Sequence, residues 1–181
     1  MIPVLQKKYR EEVVPKLMAE FGLKNKLQSP KLVKVVLNVG YGRQVKEQPF
    51  IDNVVKTLSL VSGQKPVHHK SKKSISNFKI REGMNIGASV TLRGARMYEF
   101  LYRFVHLALP RVRDFRGISP KSFDLKGSYT IGFKENGAFP EIESSAIDKL
   151  HGIEVTIVTS AKNKAQGLAL LKALDFPFKA K

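Results

Sequence analysis

Apolar residues recur along the chain at two spacings, one typical of helices and the other of strands. In the first segment they stand four residues apart, at Leu5, Tyr9, Val13, Leu17 and Phe21. This spacing predicts a buried helix face, which Pro15 should interrupt because proline has no backbone N–H to donate. We therefore expect a kink or two short helices, with the second beginning at Pro15 and a glycine cap at Gly22.

The same spacing predicts three further helices, over residues 50–62, 96–109 and 162–174. Gly63 should end the first of these and Pro110 the second. The residues of the second that we expect to be buried are Met97, Phe100, Leu101, Phe104 and Ala108.

Alternation of apolar and polar residues predicts strands over residues 32–40 and 87–93, and residues 129–134 and 153–159 also have strand character. Along the first strand the residues expected to face the core are Val33, Val35, Leu37 and Val39, and those on the other face are Lys34, Val36, Asn38 and Gly40. Thr91 belongs to the polar face of the second strand. A polar face opposite an apolar one indicates a sheet covered on one side only. We therefore predict an α+β fold, a single domain over residues 1–181, with helices on one face of a mostly antiparallel sheet and the other face open.

The charge of the chain points to a polyanionic partner. Lysine and arginine total 32 against 15 acidic residues, which gives a net charge of +17. Such an excess attracts nucleic acid or an anionic membrane surface. A membrane is disfavoured, because no apolar run approaches the roughly 20 residues that span a bilayer and residues 1–10 lack a signal-peptide core. The composition therefore predicts a soluble, cytoplasmic protein that binds nucleic acid, without thiol chemistry since cysteine is absent.

Basic residues are most concentrated between Asn53 and Arg81, a stretch without any acidic residue. Most of them fall in a predicted loop over residues 68–83, which follows neither the helical nor the strand period. Lysine and arginine suit phosphate contacts, serine and asparagine can bond to phosphate or 2′-hydroxyl groups, and Phe78 can stack on a base. We interpret the loop as a flexible RNA contact that orders when RNA binds, with a solvated surface loop as the alternative.

Acidic residues are concentrated elsewhere, in residues 135–154. They are Glu135, Glu141, Glu143, Asp148 and Glu154, against Lys149 alone. This region could be ordinary solvent-facing surface or a docking surface for a basic protein. A second basic cluster, formed by Arg111, Arg113 and Arg116 around Asp114, suits bidentate pairing with phosphate or carboxylate groups.

The sequence offers little for catalysis. His68 and His69 are adjacent, so on a strand they would point to opposite faces and could not act on one substrate. Gly40-Tyr41-Gly42 is too short for a dinucleotide-binding loop, no GxxxxGK[ST] motif occurs, and the histidine spacing does not suit a metal site. We therefore expect no enzyme activity, metal, cofactor or small-molecule substrate, with an enzyme acting on RNA as the alternative.

Three stretches together carry a family resemblance: VVLNVGYG, SGQKPVHHKSKKSISNFKIREGMNIGASVTLRG and LPRVRDFRGI. They resemble the successive signatures of the large-subunit ribosomal protein L5 family in its bacterial form, over essentially the whole chain. The resemblance implies a ribosome-bound scaffold that carries 5S rRNA into the central protuberance, with large-subunit rRNA as a further partner. It also implies an antiparallel sheet with helices on one side, in agreement with the spacing.

The resemblance implies three surfaces. The first binds 5S rRNA on the open sheet face, and the matching residues are Asn38, Gln64 and Thr91, with Lys34 and Lys65 beside them. The second is the basic loop, which in the family approaches the elbow of the peptidyl-site tRNA. Its matching residues are Lys72, Lys73, Ser74, Asn77, Phe78, Lys79 and Arg81. Ile75 and Phe78 could instead anchor this loop in the protein. The stretch His68-His69-Lys70 departs from relatives, which more often have a threonine-containing segment here.

The third surface contacts a basic protein of the small-subunit head in an intersubunit bridge. Its residues are Arg111, Arg113, Asp114, Arg116, Glu141 and Glu143. The alternatives to such a scaffold are a general RNA chaperone or RNA-modifying factor acting off the ribosome, and a peripheral membrane protein that uses its N-terminal helix. Glu11, Glu12 and Glu20 on that helix argue against binding to an anionic membrane.

Overall fold

The computed structural model describes residues 2–142 and 150–179. Within these ranges the helices are α1 (Val4–Lys8), α2 (Val14–Phe21), α3 (Gln48–Ser62), α4 (Gly94–Arg103) and α5 (Lys164–Ala173). The strands are β1 (Leu32–Gly40), β2 (Val67–Lys70), β3 (Asn85–Leu92), β4 (Tyr129–Phe133) and β5 (Ile153–Thr159). Every helix and strand that the spacing predicted is present, and β2 is a further strand that was not predicted. No helix in the described ranges is long and apolar enough to cross a membrane.

The strands form an antiparallel sheet in the order β2-β3-β1-β5-β4, on which helices pack. Alternate residues of its three central strands are buried, among them Leu37, Val90 and Val155, each at most 1% exposed. Most of their neighbours on the other face are partly or fully exposed. The predicted α+β fold is confirmed. One expected core residue is wrong, because Val33 is 36% exposed and Leu32 is buried instead, so that the alternation is regular only from Val35 onward.

The first helical segment divides where the proline predicted it would. Between α1 and α2 the chain forms a π-helical turn, Tyr9–Val13, which ends with the N–H of Val14 bonded to the carbonyl of Tyr9. Pro15 follows at the start of α2, and Val13 and Val14 before it both have right-handed helical dihedral angles, so the π-helical turn lies where Pro15 cannot donate a helical hydrogen bond. The predicted interruption is present as this π-helical turn between two short α-helices, and the second begins at Val14, one residue before the predicted Pro15.

Glycine and proline also mark the ends of other helices. A second π-helical turn, Phe104–Ala108, continues α4 and lies directly before Leu109 and Pro110. Gly22 and Gly63 end α2 and α3 in the left-handed conformation, with φ of 61° and 67°. Both glycine caps were predicted, because glycine enters this region without the strain that a Cβ atom causes.

The chain divides into two compact units. The first comprises Met1–Val35, Leu92–Ile131 and Thr156–Lys181, and within it α1 packs against α4. The second comprises Val36–Thr91 and Gly132–Val155, and the buried face of its helix α3 includes Phe50, Val54 and Leu58. The second unit holds the basic segment and all residues of the predicted RNA-binding sheet face except Lys34.

Candidate nucleic-acid interface

Asn38 and Thr91 lie on neighbouring strands and face away from the core, as the alternation predicted. Asn38 is on β1 and partly exposed, and Thr91 is on β3, which is next to β1, and is exposed. The pairing is fixed beyond the end of β1 by the N–H of Tyr41, which donates a 2.9 Å hydrogen bond to the carbonyl of Ile86. In an antiparallel pair this register sets Asn38 level with the middle of β3. Lys34 is partly exposed, on the same side of β1 as Asn38.

Gln64 reaches β3 from the connection between α3 and β2. Its backbone N–H donates a 3.1 Å hydrogen bond to Oγ of Ser62, which fixes the turn after the helix. Its side-chain Nε2 donates to the backbone carbonyl oxygen of Thr91 at 3.5 Å. Lys65, the next residue, is exposed. Gln64 and Thr91 are therefore joined directly, and Asn38 lies on the strand beside them.

A carboxylate completes this polar set. Nδ2 of Asn38 donates a 3.2 Å hydrogen bond to Oε2 of Glu154, which is exposed on β5, the other neighbour of β1. From the sequence alone Glu154 was assigned to the acidic stretch, and its position beside Asn38 was not predicted. The alternation in β5 could have found it, because Glu154, Thr156 and Val158 alternate with buried residues. A carboxylate repels phosphate but accepts hydrogen bonds from 2′-hydroxyl and base amino groups, so it favours particular RNA geometries.

The basic segment is a hairpin and not a loop. His68 and the two residues after it belong to β2, which pairs with β3, so the loop boundary predicted at His68 is wrong. The pairing continues beyond β2, where the N–H of Ser71 donates to the carbonyl of Met84 at 2.8 Å. Near the tip, Ile75 and Ile80 exchange backbone hydrogen bonds of 2.9 and 3.1 Å. We call residues 71–84 the basic arm. It has a defined structure of its own where the sequence predicted a flexible loop, because its backbone groups bond to each other.

The arm presents its predicted contact residues to solvent. All of them are exposed: Lys72, Lys73, Ser74, Asn77, Phe78, Lys79 and Arg81. The side chain of Phe78 is 62% exposed and that of Ile75 is 44% exposed, so neither is a buried anchor. Lys79 adopts the left-handed conformation, with φ of 54°, directly after the 3-10 turn Ser76–Phe78. The tip of the arm therefore combines an exposed aromatic ring with cations.

The two adjacent histidines have different partners on opposite faces of the sheet, as predicted. Nδ1 of His68 lies 2.8 Å from the hydroxyl of Tyr41, and Nε2 of His69 lies 2.6 Å from Oγ of Ser89. Within residues 2–142 and 150–179, no group of three or more His, Cys, Asp or Glu side chains could hold a metal ion. Each of these two histidines thus makes a side-chain contact within the sheet, His68 with Tyr41 and His69 with Ser89 of β3.

Two protein-family models match the chain. One, described as Ribosomal protein L5, matches residues 25–81, and the other, described as ribosomal L5P family C-terminus, matches residues 85–178. The second match alone covers more than half of the 181 residues. The chain belongs to the ribosomal protein L5 family.

Individual members of the L5 family are similar over nearly their whole length. The large ribosomal subunit protein uL5 of Halothermothrix orenii is 54% identical over 97% of this chain and 98% of its own. The proteins of the same name from Dichelobacter nodosus and Kocuria rhizophila are 54% and 52% identical, over 97% and 98% of this chain and 98% and 94% of their own. The L5 family consists of structural proteins of the large ribosomal subunit and is not enzymatic, so the predicted family, ribosomal role and non-enzymatic nature are confirmed.

The residues that the L5 resemblance assigned to a subunit bridge are divided between the two units. Arg111, Arg113, Asp114 and Arg116 are exposed in the first unit, in the segment after α4. The C-terminal segment supports this region, since the N–H of Ile118 donates to the carbonyl of Pro177 at 2.8 Å. Glu141 belongs to the second unit and is partly exposed, and Glu143 lies outside the described residues.

Proposed function

We propose that the open face of the sheet binds 5S rRNA and so attaches it to the central protuberance of the large ribosomal subunit. The observation that carries this proposal is the grouping of Asn38, Gln64 and Thr91 around β1 and β3, with Gln64 bonded to the backbone of Thr91. A sheet face with this set of donors suits a folded RNA, because the strands hold the groups at fixed distances.

The chemistry of the face favours recognition of RNA shape. Amide and hydroxyl groups can bond to 2′-hydroxyl groups and phosphate oxygens, which line the shallow minor groove of an A-form helix. Lys34 and Lys65 add phosphate contacts at the edge of the set. Glu154 disfavours an arbitrary run of phosphates and accepts hydrogen bonds from hydroxyl or amino groups. The face therefore suits a particular folded RNA better than RNA in general.

A filter-binding comparison tests this proposal. The protein should bind 5S rRNA more tightly than an unrelated RNA of equal length, measured near physiological salt of about 0.15 M. Asn38→Ala and Gln64→Ala should each weaken 5S rRNA binding by about 1–3 kcal/mol if a buried hydrogen bond is lost. Gln48→Ala is the matched control, because Gln48 is an exposed glutamine in the first turn of α3. Equal affinity for the two RNAs would end the proposal, and wild-type affinity in both variants would move the site elsewhere.

The basic arm is proposed to contact peptidyl-site tRNA. Support comes from the exposure of all its predicted contact residues and from Phe78, whose ring is available for stacking on a base. If about six side chains pair with phosphates, the logarithm of the affinity should fall with that of the salt concentration at a slope near −4 to −5. Binding of isolated tRNA at several salt concentrations measures that slope, and a slope near zero would exclude the phosphate contacts.

The third contact is proposed to join this chain to a basic protein of the small-subunit head. Support comes from charge, since the acidic side chains of Glu141 and Glu143 complement a basic partner. Glu141→Gln and Glu143→Gln together should weaken association of the two ribosomal subunits, as measured by sucrose-gradient sedimentation. Glu135→Gln is the control within the same stretch, and unchanged association in the double variant would refute this contact.

A further inference from the structure

The basic arm leaves the sheet at an irregularity in its pairing. His68 and His69 pair with Ala88 and Gly87, but Lys70 pairs with Asn85, so the register shifts between His69 and Lys70. Such a bulge bends the strand that carries it and increases its twist. Since β2 lies at the edge of the sheet and has β3 as its neighbour, this point determines the direction in which the arm projects.

Tyr41 holds both sides of this irregularity. Its backbone N–H donates a 2.9 Å hydrogen bond to the carbonyl of Ile86, the residue of β3 that the shift leaves out of the pairing. Its hydroxyl lies 2.8 Å from Nδ1 of His68 on β2, and the two rings meet edge to face with centroids 6.4 Å apart. Tyr41 is only 1% exposed, so this bond is made by a side chain that the fold already fixes. One residue thus connects β1 to both strands from which the arm extends.

Two more contacts support the base of the arm. On the opposite face of β2, Nε2 of His69 lies 2.6 Å from Oγ of Ser89. Farther along the arm, Cδ1 of Ile80 lies so close to Gly42 that a Cβ atom added there would be 3.7 Å away. Tyr41 therefore contacts the two strands that carry the arm, and Gly42 lies beside Ile80 of the arm itself.

We propose that Tyr41 and His68 are positioning residues that fix the direction of the basic arm for RNA binding. This inference rests on the proposed RNA contact of the arm. The hydrogen bond between the Tyr41 hydroxyl and Nδ1 of His68 connects β2 to the end of β1. If the arm samples several directions, only the fraction of molecules with the arm in the binding-competent direction can bind RNA. The apparent affinity is then the intrinsic affinity multiplied by that fraction. Tyr41 and His68 raise this fraction and do not contact RNA themselves.

Hydrogen exchange in the free protein tests, without RNA, whether the contact between Tyr41 and His68 orders the arm. Tyr41→Phe removes the hydroxyl, and His68→Ala removes its partner. In both variants the arm amides of Ser71, Ile75 and Ile80 should exchange faster, while amides of β1 and β5 keep their rates. The double variant should be no worse than either single one, because both remove the same bond. His68→Asn should restore part of the protection relative to His68→Ala, because its side-chain amide can replace Nδ1 as the hydrogen-bond partner of the hydroxyl. Unchanged arm exchange in both single variants would overturn the proposal.

RNA binding then separates positioning from direct contact. Tyr41→Phe and His68→Ala should each lower tRNA affinity roughly three- to tenfold, with the salt slope unchanged. A salt slope reduced by about 0.7–0.9 in His68→Ala would mean that His68 itself contacts a phosphate, and would overturn the proposal. His106→Ala, at an exposed histidine of the first unit, is the control. The double variant Lys72→Gln and Lys73→Gln tests the tRNA contact of the arm separately. If it binds tRNA normally, the proposed function of the arm fails. The exchange result still decides whether Tyr41 and His68 fix the direction of the arm.

Discussion

The open sheet face, apart from Lys34, belongs to the same unit as the basic arm, but we expect the two regions to suit RNA in different ways. On the sheet, Asn38 and Gln64 are already hydrogen-bonded to other protein groups, and Glu154 adds a negative charge. On the arm, the cations project from the protein, and Phe78 is 62% exposed. Fixed neutral groups discriminate among RNA shapes, whereas exposed cations bind any phosphate backbone and depend on salt. We therefore expect that the sheet supplies specificity for RNA and that the arm supplies affinity.

Loss of a core side chain should have the largest effect on the free energy of unfolding, and this effect should differ between the sheet and the arm. Leu37 is fully buried on β1, between β3 and β5, and directly precedes Asn38. Leu37→Ala should lower the free energy of unfolding by about 2–5 kcal/mol through the cavity it leaves, and weaken 5S rRNA binding with it. Ile75→Ala on the arm should cost less than about 1 kcal/mol, because Ile75 is 44% exposed. Urea unfolding followed by circular dichroism measures both, and equal losses would show that the arm is as tightly packed as the sheet.

Removal of arm charge should change salt dependence without changing stability. Lys72→Gln combined with Lys73→Gln removes two exposed cations, and the salt slope for tRNA should become shallower by about 1.4–1.8. The free energy of unfolding should stay within about 0.5 kcal/mol of the original, since surface substitutions cost little. Asn38→Ala should show the opposite pattern for 5S rRNA, with weaker binding at an unchanged slope. A shallower slope in Asn38→Ala would mean that the two regions do not differ as described.

A change of pH should act on the unit that contains the sheet face through His151. This residue is 5% exposed and its ring contacts Phe50 edge to face, with centroids 6.1 Å apart. Burial lowers the pKa of His151 below its usual 6.5, against a smaller opposing effect of the bond to the Gly152 carbonyl. The folded protein therefore binds fewer protons than the unfolded chain, so this stabilisation is complete above about pH 6.5 and is lost as the pH falls toward the folded pKa. Measured by urea unfolding, the free energy of unfolding should fall less between pH 7 and 5 in His151→Gln than in the original protein. In His106→Gln it should fall as much as in the original protein.

The same two regions show how far the sequence alone could go. The alternation in β1 and β3 correctly assigned Asn38 and Thr91 to the exposed face, because one apolar side of each strand is buried. It missed β2, since every residue of Val67–Lys70 is exposed and the pairing depends on backbone hydrogen bonds that leave no apolar period. It also missed the contact of Asn38 with Glu154, because strand order joins residues distant in sequence and no local pattern encodes it.

Glu154 offers the smallest expected effect and the sharpest test of what distinguishes the sheet face. Glu154→Gln keeps the size of the side chain and removes its charge beside Asn38. If the carboxylate only repels phosphate, the variant should bind every RNA more tightly by about 0.5–1 kcal/mol. If it also accepts a hydrogen bond from a hydroxyl or amino group of 5S rRNA, the gain should appear for an unrelated RNA while 5S rRNA binds less tightly. Paired filter-binding measurements give this ratio directly. Since the face is proposed to recognise RNA shape, we expect the second pattern, and a uniform gain would show that the specificity of this face comes from its donors alone.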